Sequence, residues 1–303
     1  MKKKVAVIIG ARGIGDLIYH LPLLRSLHKS YNEKLLIISN RVNKAAKVFK
    51  DEIFYKKIIY FDNDRLNLFR SIIKSIKFRN YLNKFQLDQI ILTSNARRLV
   101  LPTLLSNAKK KIFFGIKSPY LVKDRSLDHL TISERLIRYT RDLKLPKKIN
   151  NFYLKNNKIN NQNHIFISVD SHHDQNNWPL KNYLEIINKL NPEFKIFLNF
   201  SPNKKYFLNF FLKNKIKIKN IVFTHNKDIS EIIEIIKGCK IIIGNESGPV
   251  CLGASYKKIV HAIYIPLHTK PESQIIYKKN KYYNTSKISD KMIIKKIINS
   301  INK

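Results

Sequence analysis

The sequence predicts an α/β protein made of two doubly wound, open parallel-sheet domains in tandem. Three observations carry that prediction. Short runs of β-branched and aliphatic residues alternate along the chain with stretches of helical apolar spacing. The first such run passes straight into a glycine turn and a helix pattern. After a polar stretch rich in Asn and Lys, the same alternation restarts at His164. Alternation of this kind implies parallel strands joined by crossover helices.

The opening unit is Val5 to Pro22. Val5 to Ile9 has strand length and β-branched content. Gly10, Gly13 and Gly15 form a turn, and Asp16 stands where a helix should begin, as a favoured N-cap. Leu17, Leu21, Leu24 and His28 repeat at helical spacing; Pro22 inside that pattern predicts a kink or a second helical piece. Such a turn lies at the carboxyl end of a parallel strand, where open α/β sheets bind ligands. Its spacing is Gly-x-x-Gly-x-Gly, and it lacks the Gly-Lys-Ser/Thr ending of a phosphate loop. An acid at the helix start repels phosphate, so no diphosphate is expected there. Spacing alone leaves Asp16 as either a cap or a catalytic acid.

Further along, Leu35 to Ile38 and Ile58 to Phe61 read as buried strands. Leu66 to Phe85 is a long amphipathic pattern with Phe69, Ile72, Ile73 and Ile76 on one face and Arg70, Lys74, Lys77 and Lys84 near another. A basic amphipathic helix of this kind packs its apolar face on the sheet and can turn its basic face to anionic lipid. Gln89 to Leu92 is the next strand, and Arg97 and Arg98 follow its carboxyl end. Arginine binds carboxylate and phosphate through a planar fork, so this pair is a candidate anion contact. Leu145 to Asn151 and Lys155 to Asn163 have no apolar period and mark the interdomain region.

In the second half, His164 to Val169, Lys195 to Phe200, Ile221 to Phe223, Ile241 to Gly244 and Val260 to Ile265 read as strands, the last closing the sheet. Tyr183 to Leu190 and Ile229 to Lys237 read as helices, and Ile288 to Ile301 as a terminal helix. Two strand-end loops stand out. One is Asp170-Ser-His-His-Asp-Gln-Asn-Asn-Trp-Pro179, the other Gly244-Asn-Glu-Ser-Gly-Pro-Val-Cys251. The second opens a helix, a geometry that offers backbone N–H groups to phosphate. His172, His173 and Asp174 do not complete a ligand set, so no metal is expected.

Composition sets the outer bounds. Lys and Arg number 58 against 21 Asp and Glu, a net charge of +37 over 303 residues. A chain so charged is drawn to anionic surfaces, whether nucleic acid, acidic lipid or acidic glycan. No nucleic-acid motif accompanies the charge, and the aromatics fall within core patterns, so no nucleic-acid partner is expected. Cys239 and Cys251 form neither a Cys-x-x-Cys pair nor a disulfide framework, which suits a reducing compartment. Met1 to Lys4 before a short apolar run mimics a signal peptide, but Arg12 and Asp16 interrupt it too soon. No stretch has the length of a membrane span. A cytoplasmic protein is expected, with any contact with the inner membrane peripheral.

Gly13-Ile-Gly-Asp16 with Leu21-Pro22, the Trp178-Pro179 loop, and Glu246-Ser-Gly-Pro-Val-Cys-Leu-Gly-Ala254 resemble, in that order, the signatures of glycosyltransferase family 9, the ADP-heptose:lipopolysaccharide heptosyltransferases. The resemblance runs from Ile8 to about Ala254. It implies a GT-B architecture: two Rossmann-like domains facing a cleft, with the terminal helix packing back on the first. The expected divisions are residues 1–155 for the acceptor, 156–287 for the nucleotide-sugar donor, and 288–303 for the terminal helix.

The resemblance further implies an inverting, metal-independent transfer with Asp16 as general base, kept ionised by Arg12 nearby. It places Arg12, Gly13, Gly15, Arg97 and Arg98 at the acceptor. At the donor it places Ser171, His172, Asn176, Glu246, Ser247, Gly248, Pro249 and Cys251. Three of these depart from the family pattern: Asn176 replaces a lysine, Glu246 an aspartate and Cys251 a histidine. The implied co-substrate is an ADP-sugar, with no other cofactor, and the implied acceptor an anionic glycolipid such as a lipopolysaccharide core. Two other readings stay open on the residues: a GT-B fold that binds sugar or nucleotide without catalysis, and a basic nucleic-acid-binding protein.

Overall fold

The computed structural model describes residues 3–61, 68–94, 96–114, 116–117, 122–123, 132–156, 161–171, 174–214, 220–266 and 281–302. The chain divides into two compact units, Met1–Phe152 and Tyr153–Lys303.

Unit 1 runs Val5–Ile9 (β1), Ile14–Tyr31 (α1), Leu35–Asn40 (β2), Ala45–Val48 (α2), Tyr55–Phe61 (β3), Leu68–Asn83 (α3), Gln89–Leu92 (β4), Arg97–Leu104 (α4), Lys110–Phe113 (β5), Ile116–Lys117 (β6), Val122–Lys123 (β7) and Ile132–Asp142 (α5). Five strands form one parallel sheet in the order β3-β2-β1-β4-β5. All of β1 is buried, as a strand covered on both faces requires. Ala6 and Ile8 share one face with Ile38, Ile90 and Leu92, under Leu82 of α3 and Leu99 and Val100 of α4. Leu17, Leu21 and Leu24 of α1 are also fully buried.

Several expectations change here. Asp16 is not the cap of α1: the cap is Gly13, and Asp16 sits three residues into the helix. The helix also runs unbroken through Pro22 to Tyr31. Proline removes one backbone donor, but the apolar residues around it are all buried, and packing holds the helix together. The polar segment before Phe152 belongs to unit 1. Ser26 Oγ accepts the Ile149 N–H at 2.8 Å, Ser30 Oγ accepts the Lys147 N–H at 3.1 Å, and Phe152 meets Tyr19 edge to face. In α3 the inward residues are Phe78, Tyr81 and Leu82, while Ile72, Ile73 and Ile76 face solvent. Three residues of the predicted inner face are thus outer ones, and the side chain of the fourth, Phe69, lies outside the described residues, as does that of Arg70.

Unit 2 runs Asn161–Ser168 (β8), Leu180–Lys189 (α6), Lys195–Asn199 (β9), Lys205–Lys213 (α7), Ile221–Phe223 (β10), Ile229–Gly238 (α8), Cys239–Asn245 (β11), Gly248–Ser255 (α9), Ile259–Tyr264 (β12), Lys281–Asn284 (β13) and Asp290–Ile301 (α10). Six parallel strands lie in the order β10-β9-β8-β11-β12-β13. The edge strand β13 was not legible as a strand; its Lys-Tyr-Tyr-Asn sequence has no apolar run.

The buried Ile293, Ile294, Ile297 and Ile301 of α10 join the core of unit 2 with Tyr183, Ile186 and Ile187 of α6. Trp178 Nε1 and Asn182 Nδ2 each donate to Asp290 at 2.7 Å, so the helix is tied at its first turn as well. Its apolar stripe is taken up within the core of unit 2.

Candidate functional site

Each sheet has one switch point, where the chain leaves the first strand in one direction and later returns on its other side. In unit 1 it lies between β1 and β4, in unit 2 between β8 and β11. Open α/β sheets bind ligands outside the carboxyl ends of the strands at such points.

At the first switch point, Asp16 on the opening turn of α1 turns back to accept the Gly13 N–H at 3.1 Å. A Cβ on residue 13 would stand 2.9 Å from the same carboxylate oxygen, so a side chain here would push the carboxylate aside. Burial raises the pKa of Asp16 above the ordinary carboxylate value, and the Gly13 N–H opposes that rise.

Two residues that sequence reasoning missed hold this corner. His20, one turn on, is 3% exposed; its Nδ1 lies 2.6 Å from the Asp16 backbone oxygen and its Nε2 lies 2.8 Å from Thr93 Oγ1. A carbonyl only accepts, so Nδ1 carries the proton and Nε2 takes the threonine hydroxyl. Burial pushes the imidazole down to about 4, which keeps it neutral. Thr93 follows β4 and donates its N–H to Ile8 at 3.0 Å, so His20 ties the two strand ends across the switch point. Asn43 Nδ2 donates to the Ala11 carbonyl at 3.1 Å and braces the glycine turn from β2. A lone His and a lone Asn in apolar surroundings carry no motif that would have marked them.

Gly15 lies in the first turn of α1. Arg97 and Arg98 begin α4, beside the same strand ends. Arg98 is half-buried; the Arg97 side chain lies outside the described residues.

At the second switch point, the loops after β8 and β11 are stitched together by Asn245. This fully buried side chain accepts the Trp178 N–H and the Tyr183 hydroxyl, each at 2.9 Å, and donates to the Val169 carbonyl at 2.8 Å. Gly244 is required just before it, because a Cβ there would lie 2.2 Å from the Ser168 carbonyl oxygen. Ser171 donates its N–H to Asn177 Oδ1 at 2.6 Å. Lys204, also missed, is buried beneath this loop. It donates to the Ser171 carbonyl at 3.1 Å and pairs with Asp174 at 2.6 Å and Asp170 at 3.6 Å. His172 and the Asn176 side chain lie outside the described residues.

Ser247 caps α9 without a side-chain hydrogen bond to its turn, and its Oγ lies 3.5 Å from Ser168 Oγ. Gly248 and Pro249 open the helix, which suits an anion at its N-terminus. Cys251 is buried on α9, as a small apolar side chain would be. Burial raises Glu246 to about 7. Among the described residues, no three His, Cys, Asp or Glu side chains gather as a metal-binding group.

The model of glycosyltransferase family 9 (heptosyltransferase) matches residues 123–298, more than half of the chain. The chain belongs to glycosyltransferase family 9. The matched region takes in all of the second switch point, while Gly13 to Asp16 precede it. No match is found among curated protein sequences.

Solved structures agree with a family 9 fold. A glycosyl transferase family 9 protein of Veillonella parvula superposes with a TM-score of 0.78 at 16% identity, covering 100% of this chain and 91% of that one. The E. coli ADP-heptose lps heptosyltransferase II gives 0.77 at 16% identity, covering 98% of each chain. E. coli heptosyltransferase WaaC with ADP gives 0.72 at 14%, covering 98% and 97%. Two parallel-sheet α/β units of the GT-B class are therefore this family 9 chain's fold.

Proposed function

We propose that this family 9 glycosyltransferase transfers a sugar, heptose or a close relative, from an ADP-sugar to a hydroxyl of an anionic glycolipid such as a lipopolysaccharide core. The observation that carries the reading is Asp16, a carboxylate held at the switch point of unit 1 with its backbone fixed by His20. Asp16 takes the proton of the acceptor hydroxyl as that oxygen attacks the anomeric carbon. The bond to the diphosphate breaks as the new bond forms on the opposite face, so the configuration inverts. The departing nucleoside diphosphate takes the electron pair. Amides at the N-terminus of α9 and around Ser171 meet its growing charge. The proposed reaction needs no metal, and its place is the cytoplasm, at the inner face of the membrane that carries the acceptor.

Unit 1 holds the acceptor, with Arg97 and Arg98 toward its acidic groups. Unit 2 holds the donor. Titration calorimetry with ADP, UDP, GDP and CMP, with duplex DNA as control, tests this reading. The expected outcome is selective binding of ADP in the micromolar range, on the order of −8 kcal/mol. Tight binding of DNA alone would overturn it in favour of a nucleic-acid role, and binding of ADP without transfer to any acceptor would point to a non-catalytic sensor.

A further inference from the structure

The outer faces of α3 and α4 expose aliphatic side chains in a pattern that core packing does not explain. On α3, Ile72, Ile73 and Ile76 are 48%, 38% and 48% exposed. On α4, Leu101, Leu104 and Leu105, at the end of that helix and just beyond it, are 45%, 38% and 53% exposed. Both helices already contribute other residues to the core: Phe78, Tyr81 and Leu82 from α3, Leu99 and Val100 from α4. Each therefore has two apolar faces, one inward and one to solvent. The two helices pack side by side, and Asn107, just after α4, donates its N–H to Asn83 Oδ1 at 2.7 Å, which ties their carboxyl ends together.

Lys74 and Lys77 are exposed on the same helix, with Lys77 one turn on from Ile73. Beyond the last turn of α3, Lys84 joins Lys3, Lys4, Lys34, Lys56 and Lys57 around a cavity of about 520 Å³, with Glu33 its one acidic lining residue among the described residues.

We propose that the outer faces of α3 and α4 are a docking surface for an anionic lipid bilayer. The aliphatic side chains enter the boundary between headgroups and acyl chains, and the lysines meet lipid phosphates. The composition favours lipid over a protein partner. Cores of protein interfaces are enriched in aromatic residues and Arg and depleted in Lys, whereas this surface offers Ile and Leu flanked by Lys. An apolar stripe bordered by lysines is what a helix lying in the plane of a membrane presents. The net charge of +37 adds long-range attraction to such a surface. The inference adds a membrane contact to the proposed transferase and stands whatever the donor sugar is.

The test is co-sedimentation of the full chain with vesicles of phosphatidylcholine, alone or with a third phosphatidylglycerol, at physiological salt and without nucleotide. Three proteins are compared: the parent, the triple variant Ile72→Ser, Ile76→Ser, Leu104→Ser, and Leu212→Ser on α7. Circular dichroism melts and light scattering are recorded for each. The parent should bind only the anionic vesicles. The triple variant should lose about tenfold or more in affinity with its melting unchanged, since its three positions are exposed. Leu212→Ser, which alters an equally exposed aliphatic residue elsewhere, should bind as the parent does. Parent-like binding by the triple variant would overturn the proposal, leaving charge alone as the cause. So would a parent dimer that becomes monomeric in the triple variant with vesicle binding unchanged, because a second copy would then cover the surface. Nucleotide affinity is measured separately, so failure here leaves the transferase reading untouched.

Discussion

His20 Nδ1 lies 2.6 Å from the backbone carbonyl oxygen of Asp16. The same ring reaches Thr93 at the end of the neighbouring strand β4. The turn that presents Asp16 is therefore anchored to the sheet by a neutral imidazole. The carboxylate itself accepts the Gly13 N–H on the opening turn of α1. A base needs this combination: a fixed backbone and a side chain able to take a proton.

Replacing Asp16 by Asn should lower transfer by about 10²–10⁴-fold. The amide keeps the shape and can still accept the Gly13 N–H, but it cannot take a proton. Nucleotide affinity, read by calorimetry, should not change. Unaltered turnover would remove Asp16 from the mechanism.

His20→Ala should cost about 2 kcal/mol of stability, because it removes the buried ring's hydrogen bonds to the Asp16 carbonyl and to Thr93 Oγ1. It should also lower turnover by loosening the turn. Urea denaturation measures the first effect. A variant with parent stability would show that His20 does not anchor the corner.

The acid limb of the rate profile should reflect Asp16. Its raised pKa means that the base is lost at a pH above the ordinary value of 3.8 for an unperturbed Asp. Glu246 is raised to about 7, so it gains its charge across neutral pH, beside the helix proposed to receive the diphosphate. Nucleotide affinity should therefore weaken as pH rises through about 7, and Glu246→Gln should flatten that dependence. An unchanged slope in the variant would place Glu246 away from the phosphates.

Stability should fall on acidification for a separate reason. His261 is fully buried between Tyr283 OH and Ser300 Oγ, each at 3.0 Å, and burial lowers it to about 3. His20 is lowered to about 4. Both stay neutral in the fold, while the unfolded chain takes up their protons below the ordinary value of 6.5. Their contribution is complete above that value and is lost as pH falls towards 4 and then 3. Denaturation midpoints between pH 7 and pH 4 should decline, and less steeply in His261→Gln.

Asn245→Asp should destabilise unit 2 by about 2–4 kcal/mol. Its oxygens can still accept from Trp178 and Tyr183, but the donor to the Val169 carbonyl becomes an acceptor facing an acceptor. Nucleotide affinity should fall with stability, since the loops after β8 and β11 lose their shared tie. Denaturant melts and calorimetry on one preparation measure both.

Much of the fold was legible because buried parallel strands announce themselves. Val5 to Ile9 and Ile221 to Phe223 lie where their β-branched runs predicted, and α8 covers the isoleucine stripe from Ile229. Strand β13 escaped because an edge strand is covered on fewer sides and needs no apolar run. Gly13, Asp16, Ser247 and Gly248 could be picked out because turn and helix-start chemistry restricts residue type. His20, Asn43, Lys204 and the linking role of Asn245 could not, because each acts on a partner distant in sequence.

By itself the sequence determined the alternation of strands and helices, the two sheets, and the strand-end loops, all of which follow from local apolar periodicity and glycine placement. Only the tertiary structure decided how those local signals were used. It made Asp16 an inner residue of its helix and carried that helix through Pro22. It took the terminal helix into unit 2, and it turned Ile72, Ile73 and Ile76 outward although their spacing allowed either face. The physical reason is that periodicity marks which residues share a face, while burial depends on what packs against that face.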